Sequence, residues 1–102
     1  MKVAKYISNF LSVPSVKNPI VVTILQVLEE EVGLQKEKKI VIYFKELEQG
    51  FIPNRGTLRF ISETLGTDEG DEWVGKQFEL YVDPNVSMQG KRVGGLRLRL
   101  PA

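Results

Sequence analysis

The sequence predicts a mainly β protein: a small five-stranded OB-like barrel with one short helix between strands three and four. The alternative is an open α+β sheet with the helix across one face. Three observations carry this. Several segments alternate apolar and polar residues with a period of two, as half-buried strands do. One segment, after Pro53-Asn54, spaces its apolar residues as a short helix does. The chain has 102 residues, 42% hydrophobic and 26% charged, which suits one core rather than two. A single domain therefore spans 1–102, with 1–19 as a lead-in.

The lead-in covers part of the core. Val3, Tyr6, Ile7 and Phe10 fit one face of a short helix, and residues 3–7 fit a strand equally well; Pro14 and Pro19 end either form. Residues 20–28 (IVVTILQVL) are β-branched and strand-like. They are apolar on both faces, so one face needs cover from the lead-in or from a bend. Glu29, Glu30 and Glu31 read as a solvated strand end or loop, and Gly33 with residues 35–38 as a turn.

Residues 39–45 (KIVIYFK), continuing to about Glu46, are the clearest strand. Ile40, Ile42 and Phe44 point to one side. Lys39, Val41, Tyr43 and Lys45 point to the other, so Tyr43 is expected in water between two lysines. Glu48-Gln49-Gly50 is a turn, and Phe51-Ile52 a short third strand closing a hairpin on the second. Asn54 caps the helix, Leu58, Ile61 and Leu65 form its apolar stripe, and Gly66 stops it. Arg55 and Arg59, four apart, face out together.

Residues 67–72 (TDEGDE) form an exposed acidic loop ending at Trp73, the only tryptophan. In residues 76–82, Phe78, Leu80 and Val82 point inward, and Gln77, Glu79 and Tyr81 outward. Asp83-Pro84-Asn85 is a turn, and residues 86–90 start a short return. After Gly94-Gly95, Leu96, Leu98 and Leu100 alternate with Arg97 and Arg99 until Pro101. Strand, strand, short strand, helix, strand, strand is the order of the oligonucleotide/oligosaccharide-binding (OB) barrel, which also removes exposed sheet edges.

The stretch 38–101 resembles a group of small phage and prophage proteins. The residues that carry the resemblance are KKIVIYFKE, Gly50, the helix, the gapped pattern LG-TDEGDEWVGK-QFELYV and the closing GK-RVGG-LRLRLP. The helix entrance Pro53-Asn54-Arg55-Gly56-Thr57 departs from the longer asparagine-rich segment of that pattern. The resemblance implies a viral or prophage origin, and with it the host cytoplasm, and the same OB-like order. The group is mostly of unassigned function, so single-strand binding follows only by analogy of fold.

Lys and Arg number 14 against 13 Asp and Glu, so the net charge of +1 selects no partner. The charge is segregated, however. Asp68, Glu69, Asp71, Glu72, Glu79 and Asp83 stand against Lys76 in 67–85, and Lys91, Arg92, Arg97 and Arg99 stand without an acid in 86–102. Cysteine and histidine are absent, which excludes disulfides, thiolate nucleophiles and the common zinc sites, and removes the side chain most used for proton transfer near neutral pH. There is no glycine-rich phosphate loop. No secretory signal or membrane span is expected. An enzyme is not expected, and neither a cofactor nor a metal is called for.

What remains is a cationic and aromatic surface. Single-strand binders track the backbone with cations and stack bases on flat rings. Lys39, Tyr43, Lys45, Arg97 and Arg99 are the candidate set, with Arg55, Arg59, Trp73, Tyr81, Lys91 and Arg92 as additions. Each also has an ordinary reading: solvated ion pairs for the cations, and for Trp73 a plug at one end of the barrel, which is preferred. The expectation is a non-sequence-specific single-stranded DNA-binding module of phage replication or recombination. The rival is a phage interaction or structural module without nucleic acid, paired with a second copy or another phage protein.

Overall fold

β1 (Ile20–Val32) changes partner along its length, and that change shapes the molecule. In the computed structural model, which describes residues 10–88, 91–92 and 94–102, Ile20 to Thr23 pair with β3 (Gln77–Asp83), and Ile24 to Val32 pair with β2 (Glu37–Phe44), both antiparallel. The register slips between Ile24 and Gln26, leaving Leu25 as the extra residue of a β-bulge. Before the slip Val22 and Ile24 point inward; after it Val27 does. This is why the segment reads as apolar on both faces: its phase changes at Leu25, and the expected bend is real.

Thr23 fastens the bend. Its amide and hydroxyl each donate to the Glu46 carboxylate at 2.7 Å, and its carbonyl accepts from the Lys45 amide at 3.0 Å. The Gln77 side chain donates to its hydroxyl oxygen at 3.2 Å. One residue further, the Ile24 amide donates to the Lys76 carbonyl and its carbonyl accepts from Gly75. A buried polar residue at a strand bend is thus fully bonded.

β1 also runs on through the three glutamates, which were expected at a strand end or in a loop. Glu30 stands opposite Lys39 and Glu31 opposite Lys38, so the ladder sets each of these glutamates across from a lysine. The turn shrinks to residues 33–36, where Gly33 (φ 76°) and Lys36 (φ 51°) take the left-handed conformation a tight reversal needs.

β6 (Gly95–Arg99) pairs with β3, and the whole is a four-stranded antiparallel open sheet ordered β2-β1-β3-β6. The five-stranded closed barrel is therefore overturned in favour of the open sheet. The expected third strand is one bridge, with Ile42 and Phe51 exchanging amide hydrogen bonds of 2.8 Å. Pro53 has no N–H to offer Ile40 on the next rung, and the Phe44 carbonyl on the other side is turned into a bond with the Leu47 amide. Beyond Phe51 the edge is occupied by the lead-in: Phe10 bridges Gly50 in parallel, and the Leu11 amide donates to the Gly50 carbonyl. β6 would have to take that edge to close a barrel. A separate two-stranded ribbon joins β4 (Ser87–Met88) to β5 (Lys91–Arg92), at the expected short return. The readings of Val3, Tyr6 and Ile7 lie outside the described residues.

α1 (Arg55–Leu65) forms as its signals predict. Asn54 accepts from the Thr57 amide at 2.8 Å, and Gly66 (φ 72°) donates to the Ser62 carbonyl. Ile61 is fully buried, with Leu58, Leu65 and Phe60 packed around it; the Phe60 ring meets Phe78 edge-on at 5.9 Å. A short 3-10 turn, Gly70–Trp73, then inserts Trp73 into the core with Val22, Ile24, Phe44, Phe78 and Leu80. Leu11 and Val16 complete the core from the lead-in. Among the described residues no helix is long and apolar enough to cross a membrane.

Candidate nucleic-acid interface

The outward residues of β2 do not form the expected free surface. Tyr43 is partly buried, and its hydroxyl donates to Glu30 across the sheet at 2.5 Å. The Gly50 backbone lies against it: a Cβ there would stand 3.0 Å from the Tyr43 ring and 2.7 Å from Val41, which is itself buried. The bond to Glu30, then burial, then the glutamate's charge push the Tyr43 pKa up to about 12. A ring expected in water is instead a structural clamp on the β1–β2 ladder. Lys39 pairs with Glu37 at 3.5 Å. Lys45 is exposed, with no ion pair among the described residues.

β3 and β6 build the better surface. Their register sets Arg97 opposite Tyr81 and Arg99 opposite Glu79, all on the outer face. Arg97 Nε contacts Asp83 at 2.9 Å. Arg99 meets Glu79 through Nε at 3.2 Å and Nη2 at 3.4 Å, and its guanidinium lies 4.2 Å from the centre of the Tyr81 ring. The Glu79 contact raises the already high pKa of Arg99, which stays charged. Pairs this exposed contribute little to stability. Stacking a base on an aromatic side chain is worth about 1–3 kcal/mol. Ion pairing of this strength holds the arginines in place more than it withdraws them from a ligand.

The five-residue set is divided. Lys39, Tyr43 and Lys45 belong to one side of the sheet, Arg97 and Arg99 to the other, with β1 and β3 between them. Arg55 and Arg59 are exposed on α1, as expected. Trp73 is 4% exposed with its indole N–H on the Thr67 carbonyl at 2.9 Å, so it is the core plug and offers no ring to a base. The backbone of Lys91 and Arg92 forms β5, and their side chains lie outside the described structure.

A cleft of about 310 Å³ opens beside the Tyr81–Arg97–Arg99 group, walled on its other side by Gly56, Thr57 and Phe60 at the start of α1. The sequence marks the helix start through Asn54, but nothing local says which strand it faces. A second cleft, of about 300 Å³, lies between Val27, Ile40, Leu58 and Trp73; its charged lining residue is Asp68, which repels a phosphate.

No protein-family model, no curated protein and no solved structure matches the chain.

Proposed function

We propose that the protein binds single-stranded nucleic acid, DNA before RNA, without sequence preference, and that the β3–β6 face carries the binding. The observation that carries this reading is the Arg99 guanidinium over the Tyr81 ring, with Arg97 directly across the ladder. Tyrosine and arginine together make a flat, cationic platform of the kind on which successive bases stack while their phosphates meet the neighbouring cations. The strand order supports it: the Phe51 bridge, β2, β1, β3 and β6 follow one another as in an OB barrel left unclosed, with the helix in the OB position. On the sequence resemblance, the setting is phage or prophage replication or recombination, and the role is non-enzymatic. Labelled oligo-dT anisotropy at low and high salt is the test, since the buried Trp73 is a poor reporter. Saturable binding that weakens with salt supports the reading, and no binding at low salt ends it.

A second reading is an interaction module without nucleic acid. Val21, Leu25 and Leu28 are exposed along β1, and Leu34 stands fully exposed at the tip of the β1–β2 turn. These apolar side chains, beside arginines already paired to acids, suit a protein partner or a second copy. Light scattering discriminates: a concentration-dependent mass lost on Leu25→Lys favours this reading, and a strict monomer disfavours self-association.

A further inference from the structure

We infer that the cleft between the start of α1 and β6 is a phosphate subsite, taking a phosphate group of the nucleotide strand that Tyr81 stacks. The strand's identity rests on the function proposed above; the phosphate chemistry rests on the cleft itself.

α1 has 11 residues, long enough for its peptide dipoles to leave partial positive charge at its start. Asn54 satisfies the Thr57 amide, which leaves the amides of Arg55 and Gly56 for an outside acceptor. Gly56 lines the cleft and has no side chain to block its own amide. Thr57 supplies an independent observation. It is 5% exposed, yet its hydroxyl has no hydrogen-bond partner among the described residues. Its oxygen is not sealed in protein, and the residue lines the cleft. A hydroxyl in that position is free to bond a partner that enters the cleft.

The opposite wall supplies the remaining donors. Arg97 Nε lies 2.9 Å from the Asp83 carboxylate in an ion pair, and Nε and Nη2 of Arg99 donate to Glu79. Among the described residues, neither terminal amino group of Arg97 nor Nη1 of Arg99 donates a hydrogen bond within the protein. Because the acids offset the arginine charges, the site favours a group that accepts several directed hydrogen bonds over a simple anion. A phosphate, with its fan of oxygens, is such a group. The cleft of about 310 Å³ has room for it and its attached sugar.

The test follows the backbone amides of Gly56 and Thr57 by NMR in the full chain as inorganic phosphate is added, with chloride at matched ionic strength as control. Saturable shifts at both are expected. Thr57→Val should weaken phosphate by about fivefold, and Thr57→Ser should keep it. No saturable shift, or Thr57→Val titrating like the parent, overturns the subsite. These readouts need no oligonucleotide, so failure of single-strand binding and failure of the subsite are separable. A second arm compares oligo-dT with and without a terminal phosphate. Tighter binding of the phosphorylated strand assigns the subsite to chain ends. Equal binding that Thr57→Val weakens in both assigns it to internal phosphates. Equal binding that Thr57→Val leaves unchanged overturns it.

Discussion

The Glu46 carboxylate holds both the amide and the hydroxyl of Thr23, each at 2.7 Å, at the residue where β1 leaves β3 and takes up β2. A side chain there does the work of a missing strand. Thr23 is buried, so truncating its partner strands an amide and a hydroxyl away from water. Glu46→Ala should therefore lower stability by about 1–3 kcal/mol, read as a fall in the urea midpoint at unchanged slope. An unchanged midpoint would show that water replaces the carboxylate without loss.

The same contact sets an acid limb. Burial works to raise the Glu46 pKa, but the two hydrogen bonds from Thr23 and the nearby Lys45 charge outweigh it, and the net shift is downward. A carboxyl with a lowered folded pKa contributes stability above its unfolded value, and loses it as pH falls through the folded one. Urea midpoints measured from neutral pH downward should fall below the ordinary carboxylate range in the parent. In Glu46→Gln that part of the fall should be shallower, and an identical acid limb would remove Glu46 as its source.

Gly50 is held by sterics. Its backbone φ is ordinary, but an added Cβ would stand 2.7 Å from Val41 Cγ1 and 3.0 Å from the Tyr43 ring. Valine in a strand has little rotamer freedom with which to yield. Gly50→Ala should destabilise by about 1–3 kcal/mol, measured by thermal or urea unfolding. It should also disturb the Tyr43–Glu30 bond, visible as an easier ionisation of that phenol.

Tyr43 gives an alkaline counterpart. Its folded pKa of about 12 lies above the ordinary 10.0. The folded state then holds the proton more tightly than the unfolded one, so the Tyr43 contribution is complete below pH 10 and is lost as pH rises toward 12. Phenolate absorbance should show one tyrosine ionising late. Glu30→Gln should bring it back toward the ordinary value, and a late phenol that ignores this change would belong elsewhere.

Much of the fold was legible from local pattern. The alternation of Ile40, Ile42 and Phe44, and of Phe78, Leu80 and Val82, follows from a period of two, and Asn54 and Gly66 mark the helix ends by their own chemistry. What was not legible depends on pairings distant in the chain. The slip at Leu25 shows in the sequence only as a run apolar on both faces, which does not say where the phase changes. The loss of Tyr43 from the surface follows from register, which brings Glu30 within reach only because β1 continues through the glutamates. Barrel closure turned on Pro53 lacking an amide and on Phe10 and Leu11 holding the edge beside Gly50. The wall formed by Gly56 and Thr57 arises from how α1 docks against β6.

That division of the site makes the strongest comparison available within one protein. If the β3–β6 face binds single strands, Arg97→Ala and Arg99→Ala should each weaken oligo-dT binding and reduce the salt slope by roughly 0.7, one phosphate contact each. Tyr81→Ala should cost roughly 1–3 kcal/mol of binding, while Tyr81→Phe, which keeps the ring beneath Arg99, should cost little. Lys39→Ala and Tyr43→Phe should leave both affinity and slope near the parent, because β1 and β3 separate them from the platform. Anisotropy titrations over a range of salt read all of these at once. Far-UV spectra and unfolding midpoints check that each variant is folded. Should Lys39→Ala flatten the slope while Arg97→Ala does not, the strand runs over β2 instead, and the Tyr81–Arg99 contact is an ordinary surface pairing.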